Sequence, residues 1–358
     1  METTGLIFIP DISGFTRFVK AVEIEHSRLI IRELLEILID ANDSGLIVSE
    51  IEGDAILFFK FGARPPLNDL YTQVTKMFTT FHKSLVDYES RKYCQCNACL
   101  SAIDLSLKVI THYGEFAEYQ VKNFNKLIGK DVILAHQLLK NDINLHEYWL
   151  VTDDLLSDEK LPDTGENSSW VHGQKTAEDN RIHFCYTQLG YLKRGIAIDP
   201  PSKPDLNDRT SVFTLTQEYA TDIITLLHGA ADFTNRNQWM QGVKRVEIQN
   251  HFLPRIGMRC TMWLENGTTS VLANHYLFHE NEIEFSEVDE PTGHLYYYKL
   301  VKLSDHKTRL TLNLYVNGGQ IAGILFKIGP QRKLQTRMAM SLQSLAEWCE
   351  TASKVIAD

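Results

Sequence analysis

The sequence predicts an α+β protein of two domains, and three observations support this. The chain has 358 residues, more than one ordinary hydrophobic core holds. Its first half alternates apolar strands with amphipathic helices in the order β-α-β-β-α-β-β-α-β, typical of helices packed on one sheet. Its second half reads as one helix, six strands and a long closing helix. We assign a first domain to residues 1–193, a linker to 194–209 and a second domain to 210–358.

The elements of the first half follow from hydrophobic periodicity and turn residues. The second strand pair has a tight turn at Glu52-Gly53-Asp54, and a later pair is predicted to bend near Gly114. In chain order the elements are a strand at "LIFIPDI", a helix over "TRFVKAVEIEHSRLIIRELLEILIDAN", two strands in "GLIVSEIEGDAILFFKF", a helix from "LNDLY", a loop at "CQCNAC", two strands in "DLSLKVITHYGEFAEYQV", a helix over "GKDVILAHQLLKND", and strands at "EYWLVT" and "RIHFCYTQLG".

The second half begins after a proline-rich, aperiodic segment, "RGIAIDPPSKPDLNDRT", which is typical of a linker. A helix is predicted over "EYATDIITLLHGAADFTNRNQWM". Six strands follow with turn residues between them, from "VKRVEIQNHFL" to "KTRLTLNLYVNG". The closing helix is predicted from about Lys327 to Ala352.

Composition and charge exclude several classes of protein. Hydrophobic residues make up 44% and charged residues 23%, as in globular proteins. A net charge of −10 and a pI near 5.7 disfavour broad binding to nucleic acid or anionic membranes. No apolar run approaches the roughly 18 residues of a membrane span, and the N-terminus lacks a signal-peptide pattern. With six cysteines, we expect a reduced, cytoplasmic protein without a disulfide scaffold.

Two acids mark a candidate metal site. Asp11 ends the first strand, and Asp54 lies in a strand-to-strand turn 43 residues later. Neighbouring strands can bring both carboxylates to one sheet edge, where they suit Mg²⁺ or Mn²⁺. The amides of residues 12–16, at a predicted helix start, suit a polyphosphate. The alternative interpretation is that Asp11 is a helix cap and Asp54 an ordinary turn residue.

The motifs "FIPDISGFTRFV", "EIEGDAILFF", "LKVITHYGE" and "IGKDVILAHQLL" occur in this order. Together they resemble the class III nucleotidyl cyclase catalytic domain over roughly residues 5–190. The whole chain also resembles an uncharacterised bacterial family that joins a cyclase-like half to a lipid-transfer-like half. The resemblance implies a ferredoxin-like βαββαβ core that works as a homodimer, with sites formed by both chains.

The resemblance also implies ligands and chemistry. Two Mg²⁺ or Mn²⁺ ions would be held by Asp11, Asp54 and the carbonyl of Ile12. An active member cyclises a nucleoside triphosphate and releases pyrophosphate, as a phosphorus–oxygen lyase does. The phosphate-binding positions are Ser13, Gly14, Phe15 and Thr16, with Lys175 at the late-strand lysine position.

Four further positions are compared with the family pattern, and three of them depart from it. Glu50 and Lys126 occupy the base-binding positions; Glu50 favours guanine, whereas Lys126 matches neither base class. The ribose and transition-state positions hold Ile133 and Gln137 instead of Asn and Arg. Gln lacks the cation and bidentate fork of Arg, and losing one such stabiliser typically costs about 10²–10³ in rate. We expect weak or absent cyclisation.

The segment "YCQCNAC" holds Cys94, Cys96 and Cys99. Three thiols at this spacing can ligate Zn²⁺ if a fourth ligand comes from elsewhere, such as His112 or a second chain. The alternative is a loop with reduced thiols.

The second domain resembles the helix-grip fold of START-like and polyketide-cyclase-like proteins. The resemblance lies in "RNQWMQGVKRVEIQ", "LPRIGMRCTMWLENG" and "RKLQTRMAMSLQSLAEWCE". It implies a curved sheet gripping a long helix, with a cavity for a small apolar ligand. The alternative is that these aromatics only fill the core. The candidate lining residues are Trp239, Trp263, Tyr276, Phe278, Phe285, Tyr296 and Tyr298.

Two functional hypotheses follow. The first is a divergent cyclase-like homodimer that binds metal and a nucleoside triphosphate, coupled to an apolar-ligand sensor domain. The second is a non-catalytic dimer that uses only the C-terminal cavity. Loss of nucleotide binding in Asp11 and Asp54 variants would distinguish the first from the second.

Overall fold

The structure is a computed structural model that describes residues 3–22, 24–122, 124–156, 160–164, 169–177, 180–197, 203–249, 253–317, 326 and 331–357. The chain divides into two compact units. Unit 1 comprises residues 1–89 and 96–198, and unit 2 comprises residues 90–95 and 199–358. Both units combine helices with a sheet, so the α+β class is confirmed.

Unit 1 is built around an eight-stranded sheet. Its strands are β1 (Thr3–Ser13), β2 (Ile47–Glu52), β3 (Ala55–Phe61), β4 (Ser106–Val121), β5 (Phe124–Ile128), β6 (Tyr148–Thr152), β7 (Trp170–Ala177) and β8 (Asn180–Gln188). The helices are α1 (Phe15–Ala21), α2 (Ile24–Asp40), α3 (Leu67–Arg91), α4 (Asn97–Ser101) and α5 (Lys130–Leu139), with 3₁₀ turns at Ala102–Asp104 and Gly190–Gly195.

The order of the strands in this sheet is β2-β3-β1-β4-β6-β8-β7, with β5 paired to β4. The central strand β1 is antiparallel to both β3 and β4. Helices α1 and α2 connect β1 to β2, and α3 and α4 connect β3 to β4. The order β2-β3-β1-β4 with these helical connections is the ferredoxin-like βαββαβ arrangement. This arrangement places the C-terminal end of β1 and the turn between β2 and β3 at the same edge of the sheet.

Several elements of unit 1 differ from the sequence-based expectation. The first predicted helix divides into α1 and α2 because Val22 is extended. The predicted loop at the cysteines is partly helical, because α4 begins at Asn97. Strand β4 does not bend at Gly114; it continues to Val121, and Lys122, with φ of 55°, begins the turn to β5. Gly114 has another role, since a Cβ there would lie 2.4 Å from the Asp131 carboxylate.

Unit 2 holds a seven-stranded antiparallel sheet and a long C-terminal helix. The order of its strands is β10-β11-β12-β13-β14-β15-β9. The strands are β9 (Arg209–Tyr219), β10 (Val243–Gln249), β11 (Arg259–Leu264), β12 (Gly267–His279), β13 (Glu282–Asp289), β14 (His294–Ser304) and β15 (Lys307–Asn317). The helices are α6 (Ile223–Ala231), α7 (Arg236–Trp239) and α8 (Gln331–Ala357), with a 3₁₀ turn at Phe233–Asn235.

The helix predicted from Glu218 begins later than expected. Residues up to Tyr219 belong to β9, which pairs with β15. Helix α6 starts after Asp222, whose carboxylate accepts hydrogen bonds from the amides of Ile224 and Thr225, a typical N-cap. The closing helix extends beyond Ala352, and its predicted start at Lys327 lies outside the described residues.

The core of unit 2 lies between the sheet and α8. Met338, Leu342, Leu345 and Cys349 recur at helical spacing and are buried in one cluster with the aromatic side chains of β13 and β14. Of the helices in the described ranges, none combines the length and apolar character needed to cross a bilayer.

Candidate functional site

Two acids, Asp11 and Asp54, meet where the C-terminal end of β1 lies beside the turn between β2 and β3. Asp11 is buried on β1 and lies opposite Ala55 of β3 and Lys108 of β4. Asp54 follows Gly53, which adopts a φ of 63° that favours glycine. The amide of Ile12 donates to the carbonyl oxygen of Asp54 at 3.0 Å. This backbone hydrogen bond holds Asp54 beside the end of β1.

The electrostatics of this corner favour a cation. Burial raises the pKa of Asp11 to about 6, although the neighbouring Lys108 lowers it, and the Asp54 carboxylate raises it further. Burial also raises the pKa of Asp54. Burial therefore disfavours the ionised form of both acids, and a bound Mg²⁺ or Mn²⁺ would favour it.

The turn after β1 packs against the β2–β3 turn. Gly14 has a φ of 91° and precedes α1, and its carbonyl accepts from the amide of Phe18 at 2.9 Å. The ring of Phe15 lies near Gly53, because a Cβ on Gly53 would meet it at 3.9 Å. Ser13 is buried, whereas Thr16 is exposed. The turn of residues 13–16 thus follows Asp11 closely in the chain, and its Phe15 lies near the β2–β3 turn that contains Asp54.

Two lysines interact with the C-terminal end of α5. Lys175 Nζ donates to the carbonyl of Gln137 at 2.8 Å and also to that of Lys140. Lys108 Nζ donates to the carbonyl of Leu139 at 3.1 Å. Such contacts stabilise a helix C-terminus. Lys175 therefore stabilises α5 in this structure, and Lys108 is a site residue that sequence reasoning missed.

The two predicted base-binding residues form an ion pair with each other. Lys126 of β5 donates to the Glu50 carboxylate of β2, which raises the pKa of Lys126. His136 of α5 joins them, with Nε2 3.9 Å from Glu50 Oε1 and Nδ1 3.6 Å from Glu52 Oε2. A base entering here would have to compete with these contacts.

The ribose and transition-state positions lie on α5. Ile133 is 61% exposed and offers no polar group, and Gln137 is partly exposed. Sequence reasoning missed a buried pair nearby, His112 and Asp131, in which His112 Nε2 lies 3.5 Å from Asp131 Oδ1. The other ring nitrogen of His112, Nδ1, lies 2.8 Å from the Thr152 hydroxyl. His112 is thus engaged with Asp131 and Thr152.

The cysteine segment meets a histidine that the sequence did not indicate. His26 Nδ1 lies 3.4 Å from Cys96 Sγ and 3.5 Å from Cys99 Sγ. In unit 2, Cys94 Sγ lies 3.6 Å from His228 Nε2. A separation of 70 residues between His26 and Cys96 left no spacing signal in the sequence.

The predicted aromatic cavity of unit 2 is largely filled. Tyr296 and Tyr298 line a cavity of about 70 Å³, well below the roughly 300–1,000 Å³ of ligand pockets. The rings of Phe285 and Tyr298 stack with centroids 4.5 Å apart. Trp263 and Phe278 are 42% and 38% exposed, which places them away from the interior. Trp239 is buried, with its indole donating to the Gly229 carbonyl, and Tyr276 packs on Tyr93.

The same small cavity contains a buried ion pair that sequence reasoning missed. Arg236 of α7 donates to Glu287 of β13, and both side chains are almost fully buried. Arg236 Nη2 also donates to the Ala230 carbonyl at 2.6 Å. Its Nε and Nη1 have no hydrogen-bond partner among the described residues.

Unit 1 has a further cavity, of about 550 Å³, that involves none of the predicted site residues. It lies beside the first turns of α3 and the segment after α2. Its lining includes Asp43, Ser44, Lys60, Phe61, Gln73 and Lys76.

Residues 31–148 match the family model described as "Protein of unknown function (DUF2652)". The "Uncharacterized protein Rv2561/Rv2562" of Mycobacterium tuberculosis (strain ATCC 25618 / H37Rv) is 36% identical over 129 residues. That match covers 34% of this chain and 56% of the relative, so the chain spans about half the length of the relative.

Several solved structures similar to this one are adenylyl and guanylyl cyclases, and each match covers 52% of the chain. The guanylyl cyclase Cya2 is 12% identical with a TM-score of 0.40 and 92% of its chain covered. The adenylyl cyclase CyaB from P. aeruginosa is 15% identical with a TM-score of 0.37 and 94% covered. A bacterial light-regulated adenylyl cyclase is 13% identical with a TM-score of 0.38 and 90% covered.

Proposed function

We propose that the chain is a divergent nucleotidyl-cyclase-like protein whose unit 1 binds Mg²⁺ or Mn²⁺ with a nucleoside triphosphate. One observation carries this proposal: the hydrogen bond from the Ile12 amide to the Asp54 carbonyl, which holds Asp54 beside Asp11. The turn of residues 13–16 follows Asp11 closely in the chain, and its Phe15 lies near Gly53, the residue before Asp54. The combination suits a metal-bound polyphosphate better than it suits a simple helix cap.

The residues present fit a hard divalent cation. Asp11 and Asp54 supply carboxylates, and the carbonyl of Ile12 would add a third oxygen. Burial and the Asp54 carboxylate raise the pKa of Asp11 although Lys108 lowers it, so a cation bound at this corner would favour the ionised form of Asp11. A bound ion would neutralise this charge and that of the triphosphate.

The catalytic residues support weak cyclisation or none. Ile133 has no polar group that could hydrogen-bond to a ribose. Gln137 has no positive charge with which to stabilise the negative charge that develops on the phosphate in the transition state. Lys175, the one cation predicted to contact the triphosphate, donates to the carbonyls of α5. If cyclisation occurs, we expect it to be slow, with pyrophosphate as the second product.

A homodimer is the second part of the proposal. Around the Glu50–Lys126 pair, several large apolar side chains of β2, β4, β5 and α5 are exposed, and such clusters are typical of interaction surfaces. Lys126 and Ile128 share one side of β5, and Ile133 lies one helical turn from His136. We define this apolar face as Ile47, Tyr119, Val121, Ile128 and Ile133.

Calorimetric titration with Mn²⁺ and each of ATP, GTP, CTP and UTP tests the nucleotide site. We expect saturable binding of at least one nucleotide in the wild type and its loss in Asp54→Asn. Asp40→Asn, which removes an exposed acid at the end of α2, is the matched control and should bind as the wild type does. Absence of binding, or binding unchanged by Asp54→Asn, would reject the proposal.

For unit 2 we propose a helix-grip architecture and a role as a sensor of a small apolar ligand. The antiparallel sheet packed on α8 supports the architecture. The cavity of about 70 Å³ has room for only a few waters, so a ligand would have to displace α8 or side chains of the core. Fatty-acid titration monitored by the fluorescence of Trp239 and Trp348 tests this role, and an unchanged spectrum would contradict it.

The second candidate function is a non-catalytic dimer that binds a ligand only in unit 2. The small cavity with its buried Arg236–Glu287 pair is the observation relevant to it. Ligand binding by unit 2 with no nucleotide binding by unit 1 would favour this alternative.

A further inference from the structure

Two cysteines and a histidine converge at the start of α2. His26 lies in the first turn of α2, Cys96 immediately precedes α4, and Cys99 lies within α4. Their ligand atoms lie within 4.8 Å of one another. Cys99 is buried, and the other two side chains are partly buried. Three side chains from two separate segments thus point at a common centre.

The distances match those of a tetrahedral zinc site. With Zn–S of about 2.3 Å and Zn–N of about 2.0–2.1 Å, tetrahedral geometry places nitrogen and sulfur about 3.6 Å apart. The observed separations from His26 Nδ1 are 3.4 Å to Cys96 Sγ and 3.5 Å to Cys99 Sγ. Little movement would therefore be needed to admit an ion between the three atoms.

The chemistry of the ligands selects among metals. Thiolate and imidazole are soft to borderline ligands, which prefer Zn²⁺ over the Mg²⁺ or Mn²⁺ proposed for the carboxylate site.

We propose that His26, Cys96 and Cys99 bind a structural Zn²⁺ ion. A fourth ligand would complete the tetrahedral coordination of the ion. The alternative is that the thiols only hydrogen-bond to His26. The zinc site shares no residue with the proposed nucleotide site, so it stands or fails independently of that function.

A zinc ion at this site would hold in place the segment that packs against Gly14, in the turn proposed to bind phosphates. Helix α4 leads through the 3₁₀ turn Ala102–Asp104 into β4, whose Ser106 pairs with Ser13 of β1. The carbonyl of Asp104 lies 3.8 Å from the position that a Cβ on Gly14 would occupy. An ion joining α2 to α4 would therefore restrict the residues that pack against Gly14.

Metal analysis of the purified full-length chain tests the proposal. We expect about one zinc per chain in the wild type and less than about a tenth in Cys99→Ser and His26→Gln. Cys349→Ser makes the same change at a buried thiol outside the cluster and should retain zinc. Asp54→Asn should also retain zinc, which separates this site from the nucleotide site.

Cobalt binding keeps the test valid if a variant fails to fold. Wild-type protein stripped with a chelator should take up Co²⁺ and develop thiolate-to-cobalt charge-transfer absorption, with the wild-type circular dichroism spectrum retained. Absence of both zinc and this absorption in the folded wild type would overturn the proposal. Equal alkylation of the cysteines with and without zinc would overturn it as well.

Discussion

Lys108 Nζ lies 3.6 Å from Asp11 Oδ2, because β1 and β4 pair these two residues directly opposite each other. The lysine places a positive charge beside one of the two acids proposed to hold a metal. It lowers the pKa of Asp11 without bringing it to the ordinary value. The cation therefore competes with a metal ion for the same carboxylate.

Replacing this lysine should strengthen metal binding. In Lys108→Met, we expect the affinity for Mn²⁺ without nucleotide to rise by at least about tenfold, because a charge repulsion at close range is removed. Isothermal titration calorimetry measures this directly. Lys60→Met on β3, where the lysine donates to the Ser44 carbonyl, is the control and should leave the affinity unchanged. A weaker Mn²⁺ affinity in Lys108→Met would show that the lysine supports the site.

A buried histidine should make stability depend on pH. Burial lowers the pKa of His82, the Lys193 cation lowers it further, and Glu147 opposes this. The unfolded chain then binds a proton below pH about 6.5 that the folded chain does not. Stability should be complete above this pH and fall by up to about 1.4 kcal/mol per pH unit below it.

Urea unfolding at pH 7.5 and 5.5 measures this contribution by difference. We expect His82→Gln to lose less stability than the wild type between these two values, since glutamine does not titrate. His183→Gln, at an exposed position of β8, should retain the wild-type dependence. Identical losses in the wild type and His82→Gln would contradict the assignment.

Breaking the ion pair of unit 2 should be costly. Arg236 and Glu287 are 0% and 2% exposed, so either charge left alone would be buried without its partner. We expect Arg236→Met or Glu287→Leu to lower the free energy of unfolding by about 3–5 kcal/mol. The double variant should lose much less, because no buried charge remains.

An exposed pair provides the comparison for this cycle. Arg259 Nε lies 3.0 Å from Glu290 Oε1 with both side chains partly exposed to solvent. Arg259→Met should cost less than about 1 kcal/mol. Losses of similar size at the two pairs would mean that burial does not govern the energy of the Arg236–Glu287 pair.

The apolar face of unit 1 predicts self-association. Ile128 is 60% exposed, and a charge there should weaken any interface that covers this face. We expect Ile128→Glu to shift the wild-type dimer towards monomer in sedimentation-velocity experiments. Leu206→Glu, at an exposed apolar residue elsewhere, should leave the dimer intact. A wild type that stays monomeric at all concentrations would refute the dimer.

Local patterns predicted the elements whose signal is local. The apolar run before Asp11 forms β1, and the glycine turn before Asp54 joins β2 to β3. Periodicity could not predict the contacts that depend on residues distant in the sequence. Gly114 was expected to bend the chain, but its small size instead admits Asp131, a residue of α5. Lys108 and His26 acquire their partners only through strand register and helix packing.

The predicted cavity of unit 2 shows the same limit. Alternation along a strand identifies which aromatic residues share a face, but not whether the space between them stays open. Phe285 and Tyr298 stack on each other and fill that space, while Trp263 and Phe278 are exposed on the sheet. The volume of a cavity depends on the packing of many side chains at once.

Strand β4 runs without interruption for 16 residues, from Ser106 beside the end of β1 to Val121 before the hairpin turn. Its side chains alternate, so one inserted or deleted residue between Lys108 and Gly114 would reverse the orientation of every residue beyond it. An insertion there would move Gly114 away from Asp131, whose carboxylate occupies the space that a Cβ at residue 114 would fill. We therefore expect homologous chains to vary in length after Val121 and to keep the spacing from Ser106 to Gly114 constant.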